Sequence, residues 1–131
     1  MTPEQKIKSA IIKRCVNDTE IELTRQLTAD SVDEIYDELD ELHSLGDYKY
    51  EMREGQIETG LPCEHSRHYE SKSVATRVSD GSWVGWTYWY GGGKHGEPES
   101  IDWMGSAYGL DCTEEEKMVT VRTFKKKETA Q

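Results

Sequence analysis

The chain contains no long hydrophobic run. Between Met1 and Cys15 the only apolar stretch is Ala10 to Ile12, behind Lys6 and Lys8. That is too short for a signal-peptide core, and no later stretch approaches the length of a membrane span, so a soluble, intracellular protein is expected. Cysteine is scarce: Cys15, Cys63 and Cys112 are an odd number scattered over the whole sequence. A secreted disulfide scaffold carries a dense, even set instead, so reduced thiols are expected. Basic side chains are also few, 16 against 26 acidic ones, for a formal net charge of -10. Such a surface repels phosphate backbones and anionic lipid heads, which argues against plain nucleic-acid or membrane binding. Hydrophobic residues make up only 34% of the 131 positions, enough for one domain and not two. Burial must therefore draw on the four Trp and seven Tyr rather than on an aliphatic interior. No internal repeat is visible.

The acidity is regional. Residues 18–62 carry three basic and fourteen acidic side chains, a net of -11, whereas residues 1–17 stand at +3, 63–113 at -3 and 114–131 at +1. At the N-terminus Thr2 can cap a helix, Pro3 suits its first position and Gln5 completes a capping box. Ile7, Ala10, Ile11 and Cys15 follow at helical spacing, which predicts a helix ending near Asn17. A second capping box, Ser31 with Glu34, opens a helix whose stripe of Val32, Ile35, Tyr36, Leu39 and Leu42 runs to Gly46. Its opposite face carries Asp33, Asp37, Asp40 and Glu41. The stretch between, Thr19 to Leu27, is ambiguous between helix and strand and is read as a short helix.

Gly55, Gly60 and Pro62 then break the helical character. A strand over about Arg67 to Val78 and another from Trp83 to Tyr90 flank Ser79-Asp80-Gly81-Ser82, a hairpin signal. Alternation predicts a further strand from about Lys117 to Phe124, and residues 125–131 read as a solvated tail. The expected fold class is α+β: N-terminal helices, within about residues 1–62, on a small antiparallel sheet made mainly by residues 63–124. A short helix over Ser100 to Tyr108 would turn Ile101 and Met104 inward.

Five of the eight residues from Trp83 to Tyr90 are aromatic. Alternation puts Trp83 and Trp89 on one face and Trp86, Tyr88 and Tyr90 on the other. Two readings stand at equal weight. In one, Trp83 and Trp89 are core and the second face is a partly exposed ladder. In the other, the second face binds a partner, because Tyr and Trp dominate binding hot spots. A homodimer burying that face would cover it equally well.

The loop Gly91-Gly-Gly-Lys-His-Gly-Glu-Pro-Glu99 invites comparison with a phosphate-binding loop, but Tyr88 stands where the Walker pattern needs Gly and His95 where it needs Ser or Thr. A flexible turn is the plainer reading of its glycines. Cys63, His65 and His68 could offer a mixed zinc site, yet the ligands do not come in two knuckle pairs, so no cofactor is expected. His68, Glu70, His95, Glu97 and Glu99 could serve in catalysis, but without the spacing of any known constellation, so a non-enzymatic protein is favoured. Carboxylates along Asp33 to Glu41 could imitate a phosphate row and occupy a basic groove on another protein, against the plainer reading of a solvated face.

Ser66-Arg-His-Tyr-Glu70, Trp83 through Glu99 and Ile101-Asp-Trp103 together resemble a family of small uncharacterised proteins encoded by tailed bacteriophages and prophages. The resemblance covers about the second half of the chain. It implies an accessory role in the cytoplasm of an infected or lysogenic bacterium, and it assigns no activity or functional residue. The leading expectation is thus an acidic accessory protein that binds and modulates a host or phage protein, with Trp86, Tyr88 and Tyr90 or the acidic face in contact. The alternative is a small-ligand-binding or catalytic pocket built from Arg67, His68, Trp86 and the Gly91 to Glu99 loop, Glu97 included, with Lys94 and His95 contacting an anionic group.

Overall fold

The computed structural model describes residues 1–93 and 96–128, and among these the expected α+β architecture is present. Three helices come first: α1 (Pro3–Asp18), α2 (Val32–Glu41) and α3 (Gly46–Arg53). They pack on a four-stranded antiparallel sheet, β1 (Ile57–Glu58), β2 (Glu70–Arg77), β3 (Trp83–Tyr90) and β4 (Tyr108–Leu110), in the spatial order β1-β2-β3-β4. None of the helices is long and apolar enough to cross a membrane.

The capping box at α1 forms as its residue types demand: the Thr2 hydroxyl accepts from the Gln5 backbone N–H, and the Gln5 side chain accepts from the Thr2 N–H. The helix buries Ile7, Ile11, Ile12 and Cys15. The second expected capping box does not form. Ser31 is held in a turn by the backbone carbonyl of Gln26 and by Thr28, so α2 starts at Val32 without a side-chain cap. Nor does α2 reach Gly46. It ends at Glu41 because His43 adopts a left-handed conformation (φ 57°), and Ser44 and His43 donate back to the carbonyls of Leu39 and Asp40. This is a Schellman ending with His where glycine is usual. Leu42 therefore leaves the apolar stripe and is exposed, and Gly46 opens α3, an element the sequence reading missed.

Two further expectations fail. Thr19 to Leu27 is neither helix nor strand, although Ile21, Leu23 and Leu27 lie against the core, so tertiary contact substitutes for regular backbone pairing. Residues 117–124 form no strand: they run as exposed, unpaired chain after β4, which takes the place beside β3 that the expected strand would need. Likewise no helix runs over Ser100 to Tyr108: a 3-10 turn, Pro98–Ser100, stands at its start, the Ala107 N–H closes a turn on the Met104 carbonyl, and the chain enters β4 at Tyr108.

The hairpin matches its sequence signal. Gly81 sits at φ 87°, Asp80 accepts from the Ser82 backbone and hydroxyl, and β2 pairs with β3 from Glu70↔Tyr90 to Arg77↔Trp83. That register places Val74 beside Trp86 and Thr76 beside Val84 on the face that meets the helices. The buried centre is Trp86, completely enclosed; of the two tryptophans expected in the core, Trp89 is buried and Trp83 is only partly covered. Trp86 donates its indole N–H to the Arg53 carbonyl at 2.9 Å and meets the ring of Trp103 at 5.1 Å. Orientation of the strand is decided by this pairing, since an enclosed indole needs an acceptor and the end of α3 supplies one. The second face is covered in part. Ser71 and Ser73 donate to the carbonyls of Glu64 and Pro62, which ties the segment before β2 across it, and Tyr108 and Leu110 lean over Gly85 so closely that a Cβ there would lie 2.8 Å from each.

Candidate binding surfaces

Three surfaces emerge from these elements. The first is aromatic and cationic. Tyr88 and Tyr90, two apart on β3, share the helix-side face, but α3 ends beside them, so both remain partly exposed. Their rings stack at 5.2 Å with 14° between planes. Lys72, opposite Tyr88 on β2, holds its ammonium 5.6 Å from each ring and is anchored by Glu58 at 2.6 Å, a hydrogen bond that raises its pKa. The Arg53 guanidinium lies between two further faces, 4.9 Å from Tyr88 and 5.1 Å from the exposed Tyr50. Arg53 itself is buried, donates from Nη1 to the Trp89 carbonyl at 2.6 Å, and has an Nε with no hydrogen-bond partner. It has no carboxylate within ion-pair distance among the described residues. The sequence reading missed Arg53 and Tyr50 because nothing in a Gly46–Arg53 segment of mixed polarity marks it as running beneath the aromatic strand.

The second surface is the acidic face of α2. Asp33 accepts from the Gln5 amide and the Lys8 ammonium, both at 3.1 Å, and these hydrogen bonds hold its carboxyl below the usual range. Asp40 pairs with Lys49 at 3.4 Å, while Glu34 and Glu38 share Arg25. Lys8 and Lys49 also flank the Tyr36 ring, whose hydroxyl pKa is raised by burial and then by Asp40 and Asp37. Of the four carboxylates singled out in sequence, only Asp37 and Glu41 make no ion pair among the described residues. The row is thus partly neutralised from within.

A third surface lies on the second face of the sheet. It is a groove of about 470 Å³ floored by Ile57, Leu61, Ala75, Trp83 and Leu110 and bordered by Asp111 and Glu114.

The pocket expected around Arg67, His68 and Trp86 is not assembled. Arg67 and His68 are exposed in a bend before β2, whereas Trp86 is sealed in the core. Glu97 is exposed beside the 3-10 turn; Lys94 and His95 lie outside the described residues. The glycines of that loop answer to packing. Gly92 has φ 88°, and a Cβ there would stand 2.8 Å from Tyr69, with the same ring still nearer to Gly96. Gly91, Gly92 and Gly93 all have positive φ, without the sign alternation that turns successive N–H groups toward one anion. Cys63 contacts the Ser71 hydroxyl, and His65 and His68 are exposed; no cluster of three His, Cys, Asp or Glu side chains suited to a metal ion occurs among the described residues. All three cysteines are free, with Cys15 in the core.

Comparison with known proteins finds no matching family model, no similar curated protein and no similar solved structure.

Proposed function

We propose that the protein is a non-enzymatic accessory protein that binds and modulates a host or phage protein in the cytoplasm of an infected or lysogenic bacterium, with the tyrosine patch as its contact. One observation carries the reading: Tyr50, Tyr88 and Tyr90 form a partly exposed surface with Arg53 and Lys72 fixed against their rings. Tyr is among the side chains that dominate binding hot spots, since it offers a large contact area at little cost in rotamer freedom, and the buried Arg53 holds two of these rings from beneath. Here the stacking orders the rings before any partner arrives. The acidic-mimic variant of the proposal rests on the net -11 of residues 18–62 and on Asp37 and Glu41, which make no ion pair among the described residues.

The test is capture of partner protein from infected cells by the full tagged chain, followed by affinity measurement with the identified partner. Tyr88→Ala with Tyr90→Ala is expected to weaken binding at least about tenfold. Loss on Asp37→Asn with Glu41→Gln instead would assign the contact to mimicry. Binding that ignores both pairs overturns the proposal.

A second reading, a site for a small anionic ligand, is supported by one feature. Arg53 lines a recess of about 170 Å³ with Lys49, Tyr50, Glu99 and Trp103, and its Nε is buried without a hydrogen-bond partner among the described residues. Saturation of such a site by acetate or inorganic phosphate would raise the melting temperature of the wild type and not of Arg53→Met.

A further inference from the structure

The C-terminal segment and the groove on the second sheet face have complementary chemistry. Met118, Val119, Val121 and Phe124 are between 76% and 103% exposed, a concentration of bare apolar side chains found nowhere else among the described residues. Residues 117–127 also carry five basic side chains and no acidic one, on a chain whose net charge is -10. In extended backbone an eight-residue strand about 26 Å long turns Val119 and Val121 to one side, between Lys117 and Thr123, and Met118 and Phe124 to the other, and Lys125 to Lys127 follow it. The groove offers the converse. Its floor is apolar, with Ile57 and Leu61 about half exposed, and Asp111 and Glu114 on its border make no ion pair among the described residues; Glu58, also on the border, is already held by Lys72.

We propose that two copies of this chain associate by exchanging C-terminal arms, residues 117–124 of each copy lying in the groove of the other. The arm leaves from Glu114, on the border of its own groove, and is bare from Met118 to Phe124, so it runs clear of that groove and would have to turn back to lie in it. Between Thr113 and Phe124 there is no Gly, Pro, Asn or Asp, the residues that make such reversals cheap. Extension away from the body exposes the arm to a second copy instead, and twofold symmetry then forms the contact twice. Each arm has to bury about 500 Å² for the pair to reach the roughly 1,000 Å² of a specific interface, which an eight-residue strand seated on one face supplies. This association is independent of the tyrosine patch, which lies on the helix side of the sheet.

The test uses the full chain and light scattering across a concentration series. The wild type is expected at twice the chain mass. Val119→Asp with Val121→Asp, and separately Leu61→Glu in the groove, are each expected to halve it; all three positions are exposed in a single copy, and circular dichroism checks that each variant is folded. Mixing the arm variant with the groove variant restores one intact arm–groove contact, so a weaker dimer is expected to return. A wild type that stays monomeric overturns the proposal, including one whose arm resists protease at high dilution, which would place the arm on its own groove. So does a dimer that survives either substitution.

Discussion

Trp86 shows why a side chain's role is set by its partners. Replacing it with Phe keeps an aromatic ring in the core but leaves the buried Arg53 carbonyl without its donor, and is expected to cost about 1–3 kcal/mol in denaturant unfolding. Asp80 makes a different kind of contribution. The Ser82 hydroxyl and backbone N–H, with Lys6 behind them, pull its pKa down to about 2 from an ordinary 3.8. A carboxylate with a depressed folded-state pKa stabilises the fold fully above its unfolded pKa and loses that contribution as pH falls through the folded value. The melting-temperature gap between wild type and Asp80→Asn is therefore expected to be constant near neutrality and to close between about pH 4 and pH 2. The turn role of Asp80 and Gly81 was legible in sequence, because an Asp-Gly pair between β-rich runs has a local meaning. The inward turn of Trp86 was not: alternation separates two faces but does not say which one meets the helices.

Helix ends divide the same way. Thr2 and Gln5 cap α1 through contacts three residues apart, and Thr2→Ala is expected to cost about 1 kcal/mol. At the end of α2 the left-handed residue is His43, a position where glycine carries no steric penalty. His43→Gly is expected to raise stability by about 0.5–1 kcal/mol, the relief of left-handed strain less the extra entropy of the unfolded chain. The reverse holds in the glycine loop, where Gly92→Ala adds a Cβ against Tyr69 at a backbone angle of 88°. Chemical denaturation should show a loss that Tyr69→Ala relieves only in part, since the angle remains. The failed element predictions share a cause. Residues 117–124 have the alternation of a strand, but a strand exists only where a neighbour accepts its hydrogen bonds, and the place beside β3 belongs to Tyr108–Leu110.

For the whole molecule, one hydrophobic cluster joins all three helices to the sheet, from Ile7 and Ile35 to Val74, Trp86 and Trp103. Neither the acidic half nor the aromatic half has a core of its own, so melts followed by far-UV circular dichroism and by tryptophan fluorescence are expected to coincide. The sequence by itself determined the fold class, the span of α1, the β2–β3 hairpin, the uneven charge and the abundance of aromatic side chains, because each follows from composition or from contacts within a few residues. Tertiary contacts settle which aromatic face meets the helices, that Asp33 and Asp40 are paired while Asp37 and Glu41 are not among the described residues, that Arg53 lies under Tyr88, and that the basic arm is left uncovered beside an acid-bordered groove. Most of those outcomes depend on residues far apart in the chain meeting in space, as Gln5 meets Asp33 and Lys6 meets Asp80, and no periodicity encodes such distances.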